Sequence, residues 1–171
     1  MAGFKTWASG EILTAADLNR LAQYNYVVKP SNESVTSSTA MQNDDHLVLA
    51  VSANTDYWVE AFIVYEAANG GDIAIGWSVP AGATGWWLHD TVSQYPADGM
   101  DGIERRNIPD WAGTRVGKGL GVGFKMVAPS RGVLRVAGTP GNLQLRWAQG
   151  ASSGTATTVW AASMLRISKL T

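Results

Sequence analysis

From Leu47 onward apolar residues recur at every second position, a period that suits strands and not helices. Leu47, Leu49 and Val51 alternate with Val48 and Ala50. In Tyr57-Val59-Ala61-Ile63-Tyr65 every odd position is placed to face a core, while Asp56, Glu60 and Glu66 on the even face want water. Trp58, Phe62 and Val64 share that even face, which predicts a surface half covered by another subunit. Ile73, Ile75, Trp77 and Val79 continue the alternation after Asn69-Gly70, a dipeptide that predicts a two-residue hairpin turn. Further strands are expected at Leu120–Ala128, Val133–Ala137, Leu143–Ala148 and Met164–Leu170, with a turn at Thr139-Pro140-Gly141-Asn142. Between Pro80 and Asp110 the Gly and Pro content predicts a long irregular stretch holding Trp86, Trp87 and Tyr95. The pattern as a whole predicts an all-β chain, an antiparallel jelly-roll-like β-sandwich.

The first thirty residues differ. Thr14 is placed as an N-cap, with Asp17 in the first turn and Leu13 and Leu18 spaced as a hydrophobic staple. A short N-terminal α-helix is therefore expected from Thr14 to about Tyr24–Tyr26, with Pro30 blocking its continuation. Leu18 and Leu21 share one face and need a partner surface. The expected organisation is an anchoring segment over 1–30, a polar linker over 31–45 and a β-sandwich over 46–171.

Charge and composition narrow the function classes. Residues 1–104 carry three basic and 13 acidic side chains, and residues 105–171 carry ten basic and one acidic. Either the two halves neutralise each other across paired strands, or an acidic patch on one subunit meets a basic patch on the next. The cations are dispersed and the pI is near 6.1, which argues against a nucleic-acid partner. No apolar run approaches the roughly 20 residues of a membrane-spanning helix, and no membrane partner is expected. Cysteine is absent, so disulfides and thiolate chemistry are excluded.

Candidate chemistry is sparse. Gly117, Gly119, Gly121 and Gly123 alternate along one face, without the spacing of a dinucleotide or phosphate loop. They predict a close approach by another backbone or ring, and Gly119, Gly121 and Gly123 are assigned with Trp58 and Phe62 to an intersubunit interface. Asn43-Asp44-Asp45-His46 and His89-Asp90 hold nitrogen and carboxylate ligands, but no metal site follows from either; Asp44-Asp45 is expected to end a turn before the strand at Leu47. Serine-hydrolase and zinc-protease motifs are missing, and the acids offer no preferred glycosidase pair. No catalytic residue and no cofactor is assigned, and the expectation is a protein that is not an enzyme. Trp86, Trp87 and Trp111 are the candidate ligand or interface residues of the loop region, anchors for a protein partner or platforms for sugar rings.

Four stretches carry a resemblance. Trp7-x-x-Gly10-Glu11-Ile12-Leu13-Thr14-Ala15-Ala16-Asp17-Leu18-Asn19 resembles the short leader of many tailed-phage virion proteins. Lys29 to Thr39 and the strand from Asp45 to Ala53 look like structural proteins of actinobacterial phages. The segment Val159 to Ile167 is similar to the last strand of compact trimeric β-sandwiches of the tumour-necrosis-factor/C1q shape. The resemblance implies a virion structural protein, assembled in the host cytoplasm and built as a homotrimer. Its partners would be copies of itself and the phage major capsid protein or other virion proteins. A capsid decoration protein would hold the shell through Leu13, Leu18 and Leu21. The alternative is a tail-fibre or receptor-binding module that contacts host glycans through its Trp-rich loops.

Overall fold

The computed structural model describes residues 8–12, 14–15, 24–94, 101–108 and 110–170, with 93, 94 and 101–107 as backbone. Twelve strands are described: β1 (Tyr24–Val28), β2 (Glu33–Val35), β3 (Gln42–Val51), β4 (Thr55–Glu66), β5 (Ile73–Ser78) and β6 (Thr84–Gln94), then β7 (Asp101–Ile108), β8 (Arg115–Gly117), β9 (Met126–Val136), β10 (Gly141–Gln149), β11 (Thr157–Val159) and β12 (Met164–Lys169). They form two antiparallel sheets. The larger runs β1-β12-β4-β9-β6-β7, with β11 joining β4 to β2, and the smaller runs β3-β10-β5-β8.

The alternation read from the sequence sets the inner faces. Tyr57, Val59, Ala61, Ile63 and Tyr65 of β4 are buried, as are Leu47, Leu49 and Val51 of β3 and Ile73, Ile75 and Trp77 of β5. With Leu134, Leu143, Leu145, Trp147, Leu165 and Ile167 they form one cluster drawn from both sheets. Hydrophobic burial on facing inner surfaces therefore holds the two layers together.

Several expectations are corrected. Asn69-Gly70 closes a turn, with Gly70 at φ +80° and the Gly71 amide bonded to the Ala68 carbonyl at 2.9 Å. That turn carries the chain from the larger sheet to the smaller, so β4 and β5 do not pair. The 139–142 turn likewise passes between sheets, from β9 to β10. The stretch from Pro80 to Asp110 is no long loop, because β6 and β7 pair from Trp87–Ile108 to Gln94–Asp101. Gly85 and Gly102 each lie one position inside the start of β6 and β7, where they do not break the ladder. Conversely, no strand begins at Leu120; β9 starts at Met126.

The N-terminal region also differs. The expected helix lies largely outside the described residues, but its expected end does not hold, since Tyr24 opens β1. β1 pairs along its whole length with β12, from Tyr24–Ser168 to Val28–Met164. Residues 31–45, read as a linker, contain β2, which pairs with β11, and the first turns of the β3 ladder with β10.

Glycine is required where β9 passes between β4 and β6. A Cβ on Gly132 would fall 2.7 Å from Trp87 Cα and 2.8 Å from its Cβ, with the Trp86 carbonyl closer still. Neither neighbour can yield without breaking the ladder. Gly132→Ala is expected to cost about 1–3 kcal/mol, the range for overpacking, read as a lowered urea midpoint. An unchanged midpoint would mean that β6 and β9 separate more readily than their register implies.

Candidate functional site on the outer face of the larger sheet

The residues left over when β4 buries its odd positions define the opposite surface. Antiparallel register lines these even residues up with their neighbours in rows across the sheet. One row runs Val28, Met164, Phe62 and Pro129. The next runs Tyr26, Arg166, Glu60, Arg131 and Leu88. A third runs Tyr24, Ser168, Trp58, Val133 and Trp86. Tyr24, Tyr26, Val28, Phe62 (46% exposed) and Trp86 (56% exposed) lie open, while Trp58, Leu88, Val133 and Met164 are half-buried between them.

Charge on this face is arranged within the chain. Arg166 Nε lies 3.6 Å from Glu60, Arg135 Nε lies 3.5 Å from Asp56, and Arg131 donates to Asp90 at 2.6 Å. Each pair joins an acid from the first part of the sequence to a base from the last part, across neighbouring strands. The polarity of the sequence is thus partly cancelled inside the sheet, as the first reading of the charges expected. Such exposed pairs add only about 0–1 kcal/mol each. Their effect is to let arginine lie flat among aromatics, and the Arg166 guanidinium sits 5.5 Å from the Tyr24 ring centre. The outcome is two apolar rows separated by a neutralised ionic one.

A second open apolar feature is the loop between β8 and β9. Gly121 and Gly123 take φ +110° and +89°, backbone angles that favour glycine, and the Gly121 amide bonds the Ala67 carbonyl at 3.0 Å. The turns they make present Leu120, Val122 (68% exposed) and Phe124 (61% exposed) to solvent. Gly119 is buried, its amide bonded to Asp72 at 2.9 Å, and a Cβ there would lie 2.8 Å from the Ala67 carbonyl carbon. The close approach expected at these glycines occurs, at Gly119, against the chain's own backbone.

The three tryptophans grouped in the sequence are separated by the fold. Trp86 lies on the outer face, whereas Trp87 (2% exposed) and Trp111 (1% exposed) join Trp77 in the core. Ring centres in that cluster are 5.9–6.3 Å apart. Trp87 donates to the Asp110 carbonyl and Trp111 to the Val133 carbonyl, each at 3.1 Å. His89 borders the cluster, 6.3 Å from Trp87, with Nδ1 3.1 Å from Ser130 Oγ and Nε2 unpartnered.

Burial lowers the His89 pKa to about 4, with Arg115 adding to the effect and Asp90 opposing it. The folded state therefore favours neutral imidazole, and stability is full above the unfolded value near 6.5 and lost as pH falls toward 4. About 3 kcal/mol is expected to disappear over that window. The stability difference between the protein and His89→Gln should narrow by that amount from pH 7 to pH 4. A constant difference in urea titrations would show that protons reach His89 in the folded protein.

The acid pair Asp44-Asp45 ends no turn; both residues lie within β3, and Asp44 is fully buried. Its carboxylate meets the Lys29 ammonium, also fully buried, at 2.7 Å. Lys29 Nζ further contacts Glu33 Oε2 at 2.8 Å and His46 Nδ1 at 3.4 Å. Ligand atoms of Glu33, Asp44 and His46 lie within 4.8 Å of one another, a spacing suited to a metal ion. The ammonium already supplies the positive charge there. The sequence marks Asp44 and His46 of this cluster as candidate ligands, but it offers no sign that Lys29 and Glu33 join them.

Leu13, Leu18 and Leu21 lie outside the described residues. No protein-family model matches the chain, and no curated protein matches it. Among solved structures it is similar to a chain of the tripod (BppUct-A-L) from the baseplate of bacteriophage Tuc2009. That match has 13% identity and a TM-score of 0.38, covering 98% of this chain and 78% of the other. It is also similar to a chain of infectious bursal disease virus, Gt strain. Here identity is 14% and the TM-score 0.42, over 84% of this chain and 31% of the other.

Proposed function

We propose that the chain is a non-enzymatic structural protein of a tailed-phage virion, a capsid decoration protein that binds outside the shell as a homotrimer. The observation that carries the assembly is the outer face of the larger sheet. Five open aromatic or aliphatic side chains lie there on three registered rows, flanked by half-buried apolar neighbours. Apolar rows flanking a row of internally paired charge suit a protein interface, and Trp and Tyr are its usual anchors. The strand orders support the finer fold reading: β1-β12-β4-β9 opposite β3-β10-β5-β8 is the order expected of a jelly roll, with the β6–β7 hairpin inserted and added at one edge. The virion assignment rests on the leader-like residues Trp7 to Asn19. In this reading Leu13, Leu18 and Leu21 grip the shell from a segment that ends before β1.

The tail-fibre alternative rested on three loop tryptophans. With Trp87 and Trp111 buried, Trp86 is the one of the three left to stack on a sugar ring.

Sedimentation of the purified protein at micromolar concentration should show a trimer. Phe62→Glu with Trp86→Glu should release monomers that keep the parent melting cooperativity, since losing an interface anchor costs about 2 kcal/mol or more. A wild-type monomer, or a trimer indifferent to both changes, would move the interface elsewhere. Hundreds of copies per purified virion fit decoration; a few copies would favour the fibre.

A further inference from the structure

We propose that Lys29 and Asp44 become joined by an intramolecular amide bond, with Glu33 carrying the protons. The two side chains are fully buried and in contact, Nζ to Oδ2 at 2.7 Å, Lys29 just past the end of β1 and Asp44 within β3. Positioning of this kind is equivalent to an effective concentration of about 10⁵–10⁸ M, enough to drive a condensation that fails between free groups in water.

The hydrogen-bond partners of the Asp44 carboxylate and Glu33 have uses in that reaction. Asp44 Oδ1 accepts from the His46 and Leu47 backbone amides at 3.0 and 2.8 Å. When Nζ adds to Cγ, negative charge builds on Oδ1, and these two donors are already aimed at it, the arrangement of an oxyanion hole. Oδ2 is the leaving oxygen, and Trp147 Nε1 donates to it at 3.2 Å. Glu33 Oε2 lies 2.8 Å from Nζ, where it can take a proton from nitrogen and return it to Oδ2. Glu33 is itself oriented by Gln42, whose side-chain amide donates to Oε1 at 2.8 Å.

The balance is simple. The Nζ–Cγ bond forms and the Cγ–Oδ2 bond breaks. Two protons of the ammonium pass to Oδ2, by way of Glu33, and leave with it as water. Glu33 ends as it began, and no oxidant or co-reactant is needed. The product is uncharged, so condensation removes the desolvation cost of keeping an ammonium and a carboxylate in the core.

The test is the intact mass of the purified full chain. The amide makes it lighter than its sequence by one water. Cleavage after Glu33 separates Lys29 from Asp44 in sequence, so their peptides should stay joined and give branched fragments. Lys29→Arg should restore the full mass, and Glu33→Gln should leave a larger uncondensed fraction at equal age. A wild-type protein of full sequence mass after prolonged incubation overturns the proposal. So does a water loss with the two peptides separate, which would mark a succinimide at Asp44-Asp45 instead.

Discussion

Lys29→Met is expected to lower stability by about 3–5 kcal/mol, the range for removing one partner of a buried ion pair. Methionine keeps the length and apolar stem of the side chain, so packing changes little. Measured against the uncondensed chain, what is lost is the charge that compensates Asp44, a carboxylate with no access to water. Asp44 also organises its surroundings: it accepts from Trp147 and from two backbone amides, and its carbonyl accepts from Gln144 at 2.9 Å. The cluster ties residues 29–46 to β10, and its failure should loosen β1 and β3 together. Urea titration reads the loss directly. A shift under 1 kcal/mol would mean that water enters to solvate Asp44. For the same reason, deleting residues 1–30 takes away β1 and Lys29 with the leader, and such a protein should not fold normally. Deletion of residues 1–23 is the sharper test of a detachable anchor.

Trp111→Ala should be comparably severe, at about 3–5 kcal/mol. The ring lies stacked on Trp87 and edge-on to Trp77, and its indole bond to the Val133 carbonyl pins β9 to the segment before β8. Truncation opens a cavity under the β6–β7 hairpin and leaves that carbonyl short of a donor. Trp86→Ala, one position from Trp87 in sequence, should change stability little and act on association instead. Thermal melts of both variants separate the two tryptophans by role; equal effects would contradict the burial difference between them.

That division shows what a single sequence encodes locally and what it does not. The inner faces of β3, β4 and β5 were legible because alternation is a property of a strand and its immediate neighbours. The outer face was legible in part: Trp58 and Phe62 stand out on β4, but Tyr24, Tyr26 and Val28 join them only through pairing with β12. Nothing local says which sheet a strand will enter, so Asn69-Gly70 reads as a hairpin although it joins two layers. Tryptophan is ambiguous for a different reason. Its ring is apolar enough for a core and its N–H polar enough for a surface, so Trp86, Trp87 and Trp111 look alike until the fold supplies acceptors for two of them. The Lys29–Asp44 contact spans fifteen positions and follows from the segment after β1 meeting β3, with no motif to announce it.

The pairing of β1 with β12 has a consequence in time. Residues 24–28 have no strand to pair with until residues 164–169 have been synthesised, so this ladder is among the last to close. Tyr24, Tyr26 and Arg166 come side by side only at that moment. An unfinished or misfolded chain therefore lacks part of the aromatic face altogether. Any association through this face would thus favour completely folded chains over incomplete ones.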